Sequence, residues 1–138
     1  MKGYIVMLLF TNRYRDFEPS EGVPVRITFS APRYRLPYDL EYKCSLLTPG
    51  RWFLDGTDEE FTQHYVGMLD DYGVERVRLG LQQICDSAGC DRLVLLCFDD
   101  IRKELCRRSL FAQWWQRETG ENVRELQEGC NEQQNMLF

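Results

Sequence analysis

Two stretches of the chain are apolar without interruption: Tyr4-Ile5-Val6-Met7-Leu8-Leu9-Phe10 and Leu93-Val94-Leu95-Leu96-Cys97-Phe98. A strand covered on both faces has this pattern, because neither face meets water. Thr11-Asn12-Arg13 is then expected to leave the sheet in a polar turn. A third stretch alternates, with Val23, Val25, Ile27 and Phe29 on one side and Arg26, Thr28 and Ser30 on the other. That two-residue period predicts a strand with one polar face, and Pro24 near its start is tolerated there.

The pattern changes period after residue 57. Thr57 with Glu60 forms a capping box, and Phe61, Tyr65, Met68, Leu69 and Tyr72 follow on one helical face, closed by Gly73. Val74, Val77, Leu81, Ile84, Cys85 and Ala88 make a second helical face, stopped by Gly89. Leu110, Phe111, Trp114 and Trp115 mark a third helix, which Gly120 can end. Residues 122–126 suit a short last strand.

Between these elements, residues 31–55 look irregular, since Pro32, Pro37 and Pro49 each remove a backbone donor. The aromatics in this stretch imply that it packs over the domain rather than staying loose. Residues 127–138 are polar and are expected to form a flexible tail, leaving 1–126 as a single α/β domain with a mainly parallel sheet flanked by helices. In such sheets ligands bind beyond the carboxyl ends of the strands. If the three long strands are parallel, the loops at 11–14, 30–35 and 98–109 converge there.

Composition narrows the setting. The longest apolar runs are too short to span a bilayer, and the start, Met1-Lys2-Gly3-Tyr4, lacks a signal-peptide pattern, so no membrane role and a cytoplasmic location are expected. The six cysteines are then expected to be reduced, packing as small hydrophobes. Residues 1–56 carry eight Lys/Arg against six Asp/Glu, and residues 57–138 carry nine against sixteen. This acidic balance argues against long-range, non-specific attraction to nucleic acid, though it leaves room for a local basic pocket.

Candidate chemistry gathers at the junction after the second apolar run. Cys97, Cys106, Arg107, Arg108 and Ser109 lie around the start of the third helix, whose free backbone N–H groups favour an anion. Arg108 is a candidate anion ligand; the alternative is an internal salt bridge, to Asp99 or Asp100. Cys97 and Cys106 are candidate nucleophiles, because arginines and a helix start lower a thiol pKa. Their spacing to Arg102 and later arginines does not fit a phosphatase loop, and the alternative is a buried structural role for both. Arg33 and Tyr34, with Trp52 further on, interleave cations and aromatics as a base-stacking surface does, or as an ordinary proline-stiffened loop does. The cysteine spacings match no zinc ribbon, so neither a metal nor a cofactor is expected.

Leu-Leu-Cys-Phe-Asp-Asp followed by Cys-Arg-Arg-Ser-Leu-Phe-Ala-Gln-Trp-Trp resembles the bacterial and phage family known as domain of unknown function 488. That family shows a strand ending in Cys-(Phe/Tyr)-Glu, then Cys-His-Arg opening a helix that contains Ala-Glu-Trp. Cys97 and Phe98 match the first part, and Cys106 and Arg108 the second. Residues 26–35 and 57–65 resemble the family's Asp-Val-Arg…Pro-Arg segment and Glu-Glu-Phe-x-x-x-Tyr helix. Arg107 stands where the family usually has His, and Asp99 where it has Glu. The resemblance implies a Rossmann-like fold and no established activity.

Three functions are therefore carried forward. The first is binding of a small anionic ligand, a nucleotide or nucleic-acid phosphate, by Arg33, Arg107, Arg108 and Ser109 with Tyr34 or Trp52 stacking. The second is a protein-interaction module presenting the acidic helical surface to a protein partner. The third is a cysteine-dependent enzyme acting on nucleotides or nucleic acid through Cys97 or Cys106. The aromatic helical faces could also serve a homodimer.

Overall fold

The computed structural model describes residues 7–50, 57–98 and 107–127. Its strands are β1 (Leu8–Arg13), β2 (Val23–Arg26), β3 (Tyr42–Lys43), β4 (Arg92–Cys97) and β5 (Arg124–Glu125). They form one sheet in the order β3-β2-β4-β1-β5. Every pairing is parallel, with Arg13 beside Cys97 and Arg26 beside Leu96. The helices are α1 (Asp58–Tyr72), α2 (Val74–Ala88) and α3 (Arg107–Thr119). This is the α/β, Rossmann-like arrangement of a parallel sheet with helical crossovers. Among the described residues no helix is long and apolar enough to cross a membrane.

The continuous apolar run of β4 follows from its central position. Leu93 and Leu95 join a core with Leu9, Val25 and Ile27 and with side chains from all three helices, including Tyr65, Leu81, Phe111, Trp114 and Trp115. Val94 and Leu96 face the other way, onto Tyr14 and Phe17, with Leu36, Tyr38 and Leu40 packed against them. The second face of the sheet is thus covered by loop residues; of the aromatics expected to pack in the 31–55 stretch, Tyr38 lies on this face and Tyr42 against the other core, Tyr34 is exposed, and Trp52 and Phe53 lie outside the described residues. Each large apolar side chain buried in these layers is worth about 1.5–3 kcal/mol.

Three expectations need correction. Thr11-Asn12-Arg13 does not leave the sheet; it is the second half of β1. Its polar side chains stay in a strand because each has a partner: Thr11 donates to Glu125, and Asn12 Nδ2 donates to Glu21 at 3.0 Å. β2 stops at Arg26 rather than running to Ser30. There the Arg26 guanidinium donates to the Thr28 and Phe29 carbonyls and the Thr28 hydroxyl to the Ser30 carbonyl, curling the chain and leaving Phe29 exposed. Gln127, expected to begin a loose tail, is 1% exposed and belongs to the domain. The short β3 was also invisible as a pattern, since two residues carry no period.

Candidate functional site

The parallel sheet sets the carboxyl ends of β1, β2 and β4 side by side, as the converging-loop argument assumed. Closely packed aromatic and polar groups fill that crest. Tyr14, just past β1, is 1% exposed; its hydroxyl lies 2.6 Å from that of Thr28, and its ring centroid is 4.8 Å from that of Phe98. The Tyr38 hydroxyl donates to the Tyr14 carbonyl at 2.7 Å, and burial first, then the neighbouring Tyr34, Tyr14 and Glu21, raise its pKa well above the usual range.

Beneath the crest lies the group that organises the site. In α3, Arg108, Phe111 and Trp115 share one stripe at helical spacing, and that stripe packs onto the sheet. Arg108 must therefore point inward, and it is 0% exposed. Its charge is met by Glu125: Nε donates to Oε1 at 2.8 Å and Nη2 to Oε2 at 3.4 Å. Nη2 also donates to Gln127 Oε1 at 2.6 Å, and Nη1 to Cys97 Sγ at 2.8 Å. Glu125 comes from the edge strand β5, where it sits directly across from Thr11. Adjacent parallel strands turn such partners to the same face, so the Thr11 hydroxyl donates to Oε1 at 2.7 Å, while the Gln127 backbone N–H donates to Oε2 at 2.8 Å. The buried carboxylate and guanidinium are thus both paired and hydrogen-bonded, the condition under which burying charge is tolerated.

Cys97, at the end of β4, is 0% exposed and disulfide-bonded. The expectation of reduced thiols holds for Cys44, Cys85 and Cys90 and fails for Cys97. Ser109 is half-buried and lines a cavity of about 330 Å³ with Thr11, Gln113, Gln116, Val123 and Glu125.

Of the residues proposed from sequence, the fold therefore brings Cys97, Arg108 and Ser109 together. Arg33 and Tyr34 are exposed on the loop after β2, Tyr34 by 51%, and neither bonds to this cluster. Arg107 is placed as the first residue of α3, while Cys106 and Trp52, like Asp99 and Asp100, lie outside the described residues. The sequence argument missed Glu125, Thr11 and Gln127. The usable signal was Arg108 itself, a charged residue on a core-facing stripe that demands a carboxylate. Among the described residues no three His, Cys, Asp or Glu side chains lie where they could share a metal ion.

The chain matches no family model, no curated protein and no solved structure. The likeness to domain of unknown function 488 rests on the quoted residues alone.

Proposed function

We propose that the protein works through the sulfur of Cys97, as a thiol–disulfide exchange centre built into the carboxyl end of the sheet. The observation that carries this reading is the 2.8 Å contact between Arg108 Nη1 and Cys97 Sγ. A guanidinium donating to sulfur favours the thiolate over the thiol, and so favours the reduced state of the pair. Cys97 itself is shielded, so an incoming thiolate attacks the partner sulfur, and Cys97 departs as the stabilised thiolate. A second thiol of the reductant then closes the reductant's own disulfide, and the protein holds two thiols. Glu125 and Gln127 keep the guanidinium aimed at the sulfur, and they are positioning residues for this chemistry.

The test is a redox titration in glutathione or dithiothreitol buffers, reading the Cys97 peptide by mass spectrometry after acid quenching. An exchanging centre has a midpoint between about −270 and −120 mV, whereas structural disulfides lie below about −300 mV. Arg108→Lys should shift the midpoint to more negative values, because a flexible ammonium cannot keep the same fork of bonds. A wild-type midpoint below about −300 mV makes Cys97 half of a structural staple and ends this proposal.

A second reading, binding of a nucleotide or nucleic-acid phosphate, is favoured by the exposure of Arg33 and Tyr34, adjacent on the loop after β2. Arg108 is not available to it as a direct ligand, because Glu125 already answers its charge. A ligand-induced rise in melting temperature that Arg33→Ala abolishes would support it. No rise across nucleotides and short oligonucleotides would remove it.

A further inference from the structure

The end of α2, which leads into the start of β4 at the opposite end of that strand from Cys97, holds two more cysteines in a geometry the sequence spacing does not advertise. Gly89 adopts the left-handed conformation, φ 68° and ψ 30°, and turns the chain back on the helix. The N–H groups of both Gly89 and Cys90 then donate to the Cys85 carbonyl, at 2.8 and 3.2 Å. This six-to-one closure is the helix ending that brings the side chain just past the glycine onto the side chain one turn back inside the helix. Apolar residues frequently occupy these two positions; here they are Cys85 and Cys90. Both are free thiols, Cys85 buried and Cys90 partly exposed. They line one cavity of about 570 Å³ together with Gln82, Asp86, Gly89 and Asp91.

We propose that Cys85 and Cys90 are a redox-active dithiol that closes to a disulfide across the Gly89 turn, oxidised by small disulfides of cationic character. The two thiols divide the work by their surroundings. Burial, then Asp91, Cys90 and Asp86 beside it, push the Cys85 thiol up to about 11, so at neutral pH it is the protonated, slower partner. Cys90 is the sulfur that solvent reaches. Its thiolate attacks one sulfur of the small disulfide, whose S–S bond breaks and releases one thiolate. Cys85 then gives its proton to solvent and attacks Cys90 Sγ, expelling the second thiol. Two electrons pass from the pair to the small disulfide, and one new S–S bond replaces the one broken. The carboxylates of Asp86 and Asp91 repel an anionic reagent and attract a cationic one.

Trypsin releases residues 79–92 as one peptide containing both cysteines and no others. Wild-type protein is exposed to cystamine, quenched in acid, alkylated and digested. The peptide should be lighter by two hydrogen atoms than its reduced form and should carry no alkyl group; dithiothreitol should restore two alkylation sites. Closure should be ~10-fold faster with cystamine than with glutathione disulfide at low ionic strength. Recovery of the peptide doubly alkylated, or with a lasting mixed disulfide at Cys90 and an alkylated Cys85, overturns the dithiol. Equal rates with the two reagents overturn the charge preference. Cys90→Ser, a half-exposed and isosteric change, should retain one alkylatable Cys85; a peptide that still loses two hydrogens in that variant also contradicts the pairing. The Cys97 peptide, residues 93–102, is separate, so the two proposals stand or fall independently.

Discussion

Replacing Arg108 by Met isolates the energetics of the buried cluster. The methionine fills most of the volume but donates nothing, so the Glu125 carboxylate is left 4% exposed with only the Thr11 hydroxyl and the Gln127 N–H as donors. Breaking a buried pair on one side costs about 3–5 kcal/mol, because the stranded charge has lost its solvation and gained no partner. For a domain of this size that corresponds to roughly 10–15 °C in melting temperature, at about 3 °C per kcal/mol. Combining Arg108→Met with Glu125→Gln removes the stranded charge and should return about half of the loss, so the two substitutions are strongly non-additive. Urea unfolding of fully reduced proteins measures all four corners of this cycle without a contribution from the Cys97 disulfide. A cost of less than about 1 kcal/mol for Arg108→Met, the value of a surface pair, would refute the reasoning, since it would mean that water reaches Glu125.

Other consequences follow from individual residues. Burial raises the Cys44 and Cys85 thiols, and Tyr38 is raised as well. Such groups bind more protons folded than unfolded, so melting temperature should fall as pH rises from 9 toward 11, the folded value of Cys85; a flat profile over that range would contradict their burial. Gly22 has φ 145°, and a Cβ there would lie 2.8 Å from the Arg92 carbonyl oxygen, so Gly22→Ala should cost about 2 kcal/mol or more in urea unfolding, and a neutral result would refute the close approach. Thr57 accepts from the Glu60 N–H at 3.2 Å while Glu60 accepts from the Thr57 N–H at 2.8 Å. Thr57→Ala should therefore cost about 1 kcal/mol, measured the same way, and no loss would mean that the cap contributes nothing.

Much of the fold was legible because its elements declare their periods. The helices at Asp58–Tyr72 and Val74–Ala88 begin and end at the residues that cap and stop them, and β4 sits at the centre where an unbroken apolar run belongs. What escaped were features with no period. Thr11 and Asn12 look like a turn until Glu125 and Glu21, far away in sequence or past a bend, supply their bonds. The site was half legible for the same reason. Arg108 and Cys97 stood out by their neighbours, whereas Glu125 on a two-residue edge strand has meaning only once β5 is laid beside β1. Cys85 and Cys90 were each readable as packing residues; only the left-handed turn at Gly89 makes them a pair.

The central claim is that Cys97 is a disulfide sulfur held against Arg108. Its most direct test is peptide mapping of protein alkylated before digestion, after equilibration with glutathione disulfide in large excess, at a potential well above the upper end of the exchange range at about −120 mV. The account predicts that residues 93–102 are recovered joined through Cys97 to a second cysteine-containing peptide, which names the partner, and that dithiothreitol separates them. Recovery of 93–102 with an alkylated Cys97 under those conditions would contradict it, and would return Arg108 to the role of a structural counter-ion for Glu125.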